Sequence, residues 1–443
     1  MKSALDCYSR AGNQRKISEL LVKNAELHVG VGQYLEMEKY YFAMPKEEIL
    51  RSPTLMAGMS MLSSVFMDYE QSEYWYEALQ SFFGRLKKSE PEYKNAQGRL
   101  AYLDIALPQR GCNGLLEVIS KVFQVMSDKQ LKLPAFSVTS TLPSVMNGGK
   151  DFCAWSKKDD LLYATMRKPV ESVLGRDGVG LADCAICESR FEKNTDYQSK
   201  MLTLLSRLSE IQRKGTPDIE FAVVGLLARA QMEQGQAQAA IESIENLRSR
   251  FEEIGETRFL PNMDALICRA KMRLGDTVAM SRWLQDKAPK DDWRIWALHR
   301  YQYLTKAMVR IANEEYGGAL LILVRLLTYT EQCARVMDQI YIYILMAICN
   351  YRLGNEQWRD QLQHALDAAY DHAFIRPISE YGAAVLPLLT ACKWEKDSKY
   401  LERLLAATRV QAVNYPLFLK QEVKLEEPLT SAEQQVLKLL ATT

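Results

Sequence analysis

Two cysteines, Cys184 and Cys187, form a CxxC motif, a spacing that is typical of metal and redox sites. A zinc site needs four ligands, usually from two such pairs or from one pair and two histidines. The sequence contains no second pair, and the two thiols lie in GLADCAICESRF, whose apolar spacing predicts a helix. Because thiols near one helix face more often pack in a core, we interpret them as structural and predict no metal site.

No other residue pattern provides a frame for catalysis. The histidines are scattered and none has HExxH spacing. No nucleophile elbow, ordered triad or paired-carboxylate signature occurs. We therefore predict no catalytic residues and a protein that is not an enzyme; a hydrolase embedded in helices is the least supported alternative.

An aromatic cluster with an arginine is the strongest candidate for ligand binding. In WRIWALHRYQY, helical spacing would align four side chains in one stripe, namely Trp293, Trp296, Arg300 and Tyr303. Aromatic faces and a guanidinium suit planar or sugar-like ligands. The stripe could instead pack against the adjacent repeat, which is the more common use of such aromatic residues. Arg376 is a further candidate, and with Glu380 it either contacts a ligand or forms a structural ion pair.

Charge and cysteine usage restrict the class of protein. The chain has 443 residues, with 56 lysines and arginines against 55 acidic residues, so it lacks the basic excess of a DNA-binding module. Its nine cysteines, mostly in apolar helical patterns, suit a reducing compartment. The N-terminus lacks the apolar core of a signal peptide, and the apolar runs are about half the roughly 20 residues of a spanning helix. These features predict a cytoplasmic protein without membrane contact.

Amphipathic helices fill most of the sequence, and they recur in pairs. Turn residues follow one another after 40, 39 and 40 positions, at Gly235, Gly275, Glu314 and Gly354. Five residues after each of the first three stands a small or slim side chain, at Ala240, Met280 and Ala319. The period exceeds the 34 residues of a simple tetratricopeptide unit, which indicates similar hairpins with longer helices. Because one hairpin cannot bury its apolar face alone, we predict an all-α fold in which the hairpins stack into an extended, right-handed superhelical solenoid with a concave binding surface.

The repeat pattern breaks down once, in a stretch rich in proline, serine, threonine and glycine. We interpret this stretch as an irregular excursion between two stacks of repeats. The predicted division is N-terminal repeats at 1–130, the excursion at 131–158, C-terminal repeats at 159–427, and a final helix at 428–443.

Three signatures in the second half resemble a known family when taken in order. LPNMDALICRAKMRLGDTVAMSRWLQ is similar to a repeat that ends in a GD-x3-A-x-RWL signature, which is carried here by Gly275, Asp276, Arg282, Trp283 and Leu284. YQYLTKAMVRIA follows it, and then AFIRPISEYG, with Arg376, Glu380 and Gly382. This order resembles the helical-repeat region of the large ATP-binding, MalT-like regulators of the LuxR family.

The last residues resemble the start of a LuxR-type helix-turn-helix. In LTSAEQQVLKLLATT the matching positions include Leu429, Thr430, Glu433, Val436, Leu437 and Leu440. Thr430 and Glu433 have capping-box spacing, which predicts a helix start. The recognition helix that would read bases is missing, so we expect no DNA contacts by this chain. No G-x4-GK[ST] phosphate loop occurs, so we also expect no nucleotide cofactor and interpret the chain as lacking the family's ATP-binding domain.

The resemblance implies a signal-sensing region that binds a small-molecule inducer or a regulatory protein. In the full-length regulator it would control self-association and DNA binding, the latter through the missing helix-turn-helix. The alternative is a tetratricopeptide-like scaffold that captures only a protein or peptide. An enclosed pocket with converging polar groups would favour the inducer, whereas a long groove of mixed character would favour the scaffold.

Overall fold

The structure is a computed structural model that describes residues 2–27, 37–110, 137–291 and 296–414. Within these ranges the chain is helical and has no β-strand, apart from an isolated bridge between Asn147 and Asp151. The predicted all-α repeat fold is therefore confirmed. The predicted helix at 428–443 lies outside the described residues, as do Trp293 and the start of the excursion.

The α-helices before the excursion are α1 Lys2–Arg10, α2 Gln14–Leu27, α3 Glu38–Phe42, α4 Lys46–Ile49, α5 Pro53–Val65, α6 Tyr69–Arg85 and α7 Pro91–Ala106. The next group is α8 Asp159–Leu174, α9 Leu181–Glu192, α10 Gln198–Ser206 and α11 Leu208–Lys214. The hairpin helices are α12 Pro217–Glu233, α13 Ala237–Glu253, α14 Leu260–Arg273, α15 Thr277–Asp286, α16 Arg300–Ala312, α17 Tyr316–Gln332, α18 Val336–Arg352 and α19 Trp358–Tyr370. The last described helices are α20 Arg376–Ser379, α21 Leu386–Ala391 and α22 Ser398–Asn414. None of the described helices is long and apolar enough to span a bilayer.

The predicted turn residues end the first helix of each hairpin. Gly235, Gly275, Glu314 and Gly354 have φ angles of 77°, 70°, 63° and 69°, which is the left-handed conformation that stops a helix. After three of these turns, the predicted small or slim residues are buried in the second helix of the hairpin, at Ala240, Met280 and Ala319. The turns and the buried side chains that follow them therefore confirm the predicted hairpin repeat.

Glu314 provides a test of this interpretation, because it is the one non-glycine among the four turn residues. A side chain in the left-handed region costs roughly 1 kcal/mol that glycine does not incur. We expect Glu314→Gly to raise the free energy of unfolding by about 0.5–1 kcal/mol, measured by urea denaturation. Glu356→Gly, outside the turn position, is the control and should not stabilise. Equal effects of the two substitutions would contradict the assigned turn.

The first helices of the hairpins form the inner wall of a ring. The inner helices α9, α12, α14, α16, α18 and α20 contact one another in that order, and α20 also contacts α9. At this closure the backbone N–H of Ile375 donates to the carbonyl of Glu192 over 2.7 Å. The sequence predicted an extended concave surface, but the surface closes on itself because polar contacts join its two ends.

The N-terminal helices pack against this ring. The hydroxyl of Tyr69 lies 3.2 Å from the sulfur of Cys333, and the ring of Phe66 meets Trp296 edge-on at 4.9 Å between centroids. Tyr69 and Cys333 also belong to a small apolar cluster that joins the two parts. The two groups of helices are therefore in direct contact next to the turn that begins α18.

Candidate functional site

An irregular stretch of the excursion lies inside the ring of inner helices; residues 137–151 are called the inserted segment below. The buried carboxylate of Glu188, on α9, accepts hydrogen bonds from the backbone N–H groups of Val145 at 2.9 Å and Met146 at 3.0 Å. On the opposite wall, the amide nitrogen of Asn147 donates to Asp338 over 2.7 Å. The sequence predicted a connector between stacks, whereas the structure places these residues at the centre of one stack.

Two buried arginines hold the turn of the inserted segment. Arg300 donates to the carbonyl of Gly148, and Arg335 donates to the carbonyls of Gly148 at 2.8 Å and Gly149 at 3.1 Å. Both guanidinium groups also pair with Asp338, at 2.9 and 2.7 Å. Burial alone would raise the pKa of Asp338, but the two arginine charges lower it below its usual value. The turn is thus bound by charge-assisted hydrogen bonds to its main chain.

A partly enclosed cavity of about 70 Å³ remains between the inserted segment and the inner helices. Since a water molecule needs about 10–15 Å³ on this scale, the cavity has room for a few waters or a small polar molecule. Its ionisable lining is balanced between four arginines and four carboxylates: Arg229, Arg269, Arg273, Arg300, Glu188, Glu192, Asp338 and Glu380. Three tyrosines complete the polar wall: Tyr301, Tyr341 and Tyr381.

One side of the cavity presents acceptors that are not fully satisfied. Arg229 donates to one oxygen of Glu192 over 2.6 Å, while the other oxygen of Glu192 is buried without a hydrogen-bond partner. Arg229 also donates to the hydroxyl of Tyr341 over 3.1 Å and lies 3.9 Å from a carboxylate oxygen of Glu380. Burial raises the pKa of Glu380. Such carboxylates can accept hydrogen bonds from the hydroxyl or amino groups of a ligand.

Another side of the cavity presents a positive charge. Arg269 donates to the hydroxyl of Thr305 over 2.7 Å and to the carbonyl of Tyr301 over 3.2 Å, and its guanidinium stacks 3.9 Å from the centroid of the Tyr301 ring. These described contacts are all to neutral groups. Arg269 can therefore donate to an oxygen atom of a ligand without first breaking an ion pair with a carboxylate.

The predicted aromatic stripe is not one helix face. Trp296 has extended backbone, with φ −99° and ψ 123°, and a 3₁₀ turn follows it before α16 begins at Arg300. The indole packs against Phe66 and stacks on His299. The helical-stripe interpretation is therefore wrong for Trp296, because the chain changes direction there, and Trp293 lies outside the described residues.

Of the other predicted site residues, only Arg300 reaches the cavity. Tyr303 is buried in the apolar core of the ring. Arg376 pairs with Glu233 and donates to the side-chain oxygen of Asn194 over 2.8 Å, which ties α20 to the start of the ring. The described contacts of Arg376 are thus those of a structural ion pair.

Sequence reasoning missed most of the cavity lining. A usable signal exists, because Glu188 and Glu192, and likewise Arg269 and Arg273, stand four residues apart within helices that are otherwise largely buried. Charged residues are almost never fully buried without partners. Paired charges on an apolar helix therefore predict a polar site inside the fold, although they do not reveal which helices face each other.

The CxxC pair is buried on α9, and burial raises the pKa of the Cys187 thiol to about 12 and that of Cys184 above its usual value. Across the part of the chain that the structure describes, no three metal-binding side chains are grouped for a metal ion. The residues that resemble the helix-turn-helix, Leu429 to Leu440, lie beyond the last described helix.

Comparison with known families gives a match that lies mostly in the second half of the chain. The family described as the MalT-like TPR region matches residues 205–395. A search of curated proteins found no match to the sequence. The matched range contains the hairpins and most of the cavity lining, from Arg229 to Glu380, while Glu188, Glu192 and the inserted segment precede it. This part of the chain is therefore similar to the helical-repeat region of MalT-like proteins.

Proposed function

We propose that this chain is the sensor region of a cytoplasmic LuxR-family transcription regulator similar to MalT, and that the cavity inside its ring binds a small polar molecule. In the full-length protein, binding would control self-association and DNA binding. The observation that carries the proposal is the cavity itself, where four arginines, four carboxylates and three tyrosines converge. In this role the chain recognises a signal and does not catalyse a reaction.

The shape of the concave surface favours a small molecule over a scaffold function. While the inserted segment occupies the ring, the groove is filled, and the space that remains is a cavity of about 70 Å³. Glu192, which is partly unsatisfied, and Arg269, whose described hydrogen bonds are to neutral groups, offer an acceptor and a donor to the same small ligand. A neutral molecule with several hydroxyl groups, or a zwitterion, fits this balance of charge.

The construction of the cavity also suggests how binding would be transmitted. Leu142, Pro143, Ser144 and Asn147 of the inserted segment form one wall, and the inner helices form the rest. A ligand changes the balance between two arrangements only if it binds one of them better. A ligand in this cavity contacts both walls, so it would favour one position of the inserted segment, which follows the N-terminal helices in the chain.

A thermal-shift screen of the protein against small polar metabolites tests the proposal. A ligand at 100 times its Kd stabilises the folded state by about 2.7 kcal/mol, which raises the Tm of a protein of this size by a few degrees. We expect at least one compound to raise Tm in a saturable manner. A well-folded sample that no compound of a broad library stabilises would reject the small-molecule function.

A further inference from the structure

The inserted segment is held in the ring as a bound peptide is held in a groove. Its N–H groups at Val145 and Met146 donate to Glu188, and its carbonyls at Gly148 and Gly149 accept from Arg335. These contacts involve the main chain, which every peptide provides. Recognition of an extended or turned peptide depends on such main-chain hydrogen bonds, with pockets for a few side chains adding specificity.

The ring has a pocket for one side chain of the inserted segment. Gly225 lies in the middle of α12, and a Cβ atom there would come within 2.5 Å of the Cβ of Pro143. Glycine inside a helix costs about 1 kcal/mol relative to alanine. The glycine leaves the room that Pro143 occupies, so the inner wall is shaped around the proline.

The inserted segment has a strained conformation inside the ring. Ser140 and Thr141 have φ angles of 48° and 65°, in the left-handed region that costs non-glycine residues about 1–3 kcal/mol each. The segment forms no helix, and the inner helices contact one another directly around the ring. Release of the segment would therefore relieve strain and leave the helix contacts of the ring in place.

We propose that the inner wall of the ring is a peptide-binding site, and that residues 137–151 are its internal occupant, which a matching segment of a partner protein displaces. The matching segment has a proline, then a glycine-containing turn that presents two successive carbonyls, then a carboxylate. In the inserted segment these are Pro143, the turn at Gly148 and Gly149, and Asp151, which accepts from the N–H of Met337 over 3.0 Å. This interaction goes beyond the proposed sensing of a small molecule and does not depend on it.

Exchange of one occupant for another is the energetically reasonable route. Arg300, Arg335 and Glu188 are nearly inaccessible to solvent, and a buried charge that loses its partner costs several kcal/mol. A partner segment with the same main-chain groups would restore the main-chain hydrogen bonds to Glu188, Arg300 and Arg335 that the inserted segment gives up. The free energies of the two occupied states then differ by less than either differs from that of the empty groove. A partner segment can therefore compete with the inserted segment.

Hydrogen exchange of the whole chain tests whether the inserted segment leaves the ring. In the wild-type protein we expect the amides of Val145 and Met146 to exchange at least tenfold faster than those in the middle of α18. Gly225→Ala should accelerate their exchange by a further tenfold or more and leave α18 unchanged, because the new Cβ collides with Pro143. Gly317→Ala is the matched control, since a Cβ there meets no atom within 4 Å. Equal exchange of the segment and α18 in wild type and Gly225→Ala would overturn the proposal.

A fluorescent synthetic peptide of sequence SVTSTLPSVMNGGKD, identical to residues 137–151, tests the site directly. Its receptor is the double variant Ser144→Ala, Asn147→Ala, which removes side-chain hydrogen bonds of the segment to Glu188, Asp338 and Arg335. We expect the peptide to bind this variant at least tenfold more tightly than wild type, and a scrambled peptide to bind neither. Equal binding to both proteins, or no binding to the folded variant, would overturn the proposal whatever the metabolite screen shows.

Discussion

Replacing Arg335 by alanine will lower the free energy of unfolding by about 3–5 kcal/mol, the usual cost of breaking a buried charge pair. Arg335 has no exposed surface, and it joins Asp338 to the turn of the inserted segment. Its removal leaves Asp338 with one arginine, and it leaves the carbonyls of Gly148 and Gly149 without this donor. Few single substitutions in the chain should have a larger effect.

Urea denaturation of the Arg335 variants measures this effect. In Arg335→Lys the lysine keeps the charge but cannot reach Asp338 and the turn together. We therefore expect about half the loss in the free energy of unfolding that Arg335→Ala causes. Arg359→Ala is the matched control, because Arg359 forms an exposed ion pair with Glu356, and such pairs contribute about 0–1 kcal/mol. The assigned role of Arg335 is wrong if Arg335→Ala costs no more than Arg359→Ala.

Replacing Arg229 by methionine will destabilise the ring by a similar amount, about 3–5 kcal/mol at pH 8. Arg229 is the cation between Glu192 and Glu380, and without it the buried Glu192 and the partly buried Glu380 lose their nearest positive charge. The second substitution Glu192→Gln should restore part of the stability, since it removes one of the uncompensated charges. Arg248→Met on α13 is the control, because Arg248 is more exposed than Arg229 and its partner Glu252 is more exposed than Glu192 or Glu380.

The effect of Arg229→Met should depend on pH in a defined direction. Burial already raises the pKa of Glu380, and the charge of Arg229 opposes this shift. Loss of the arginine therefore raises the pKa further, so the folded variant binds a proton more readily than the unfolded chain. Its stability relative to wild type should recover as the pH falls from 8 towards the usual glutamate range near 4.5. A deficit that grows on acidification would contradict the assigned pairing.

The repeat fold could be predicted from the sequence because its determinants are local. Gly235, Gly275 and Gly354 end helices through a backbone conformation that glycine favours, and the apolar residues that follow them recur with helical spacing. Each hairpin then needs a neighbour to bury its apolar face, which makes stacking a physical necessity. None of these steps requires knowledge of a distant contact.

The site could not be predicted because its determinants are distant along the chain. Glu192 meets Arg229 across 37 positions, and Arg335 meets Gly148 across 187. The composition of the excursion indicated irregular backbone, but irregular backbone can lie on the surface or inside a ring. For Trp296 the prediction failed for a local reason. The sequence has helical spacing there, but the backbone is extended at Trp296, so this residue does not belong to the helix.

The central claim is that a small molecule binds inside the ring, and paired arginine variants test it most directly. Thermal shift of each stabilising compound would be compared in wild type, Arg269→Gln and Arg282→Gln. Arg269 lines the cavity, and Arg282 lies on the exposed surface of α15. We predict that Arg269→Gln weakens binding at least tenfold and that Arg282→Gln leaves it unchanged. Equal affinity of all three proteins for the compound would place its site elsewhere and contradict the claim.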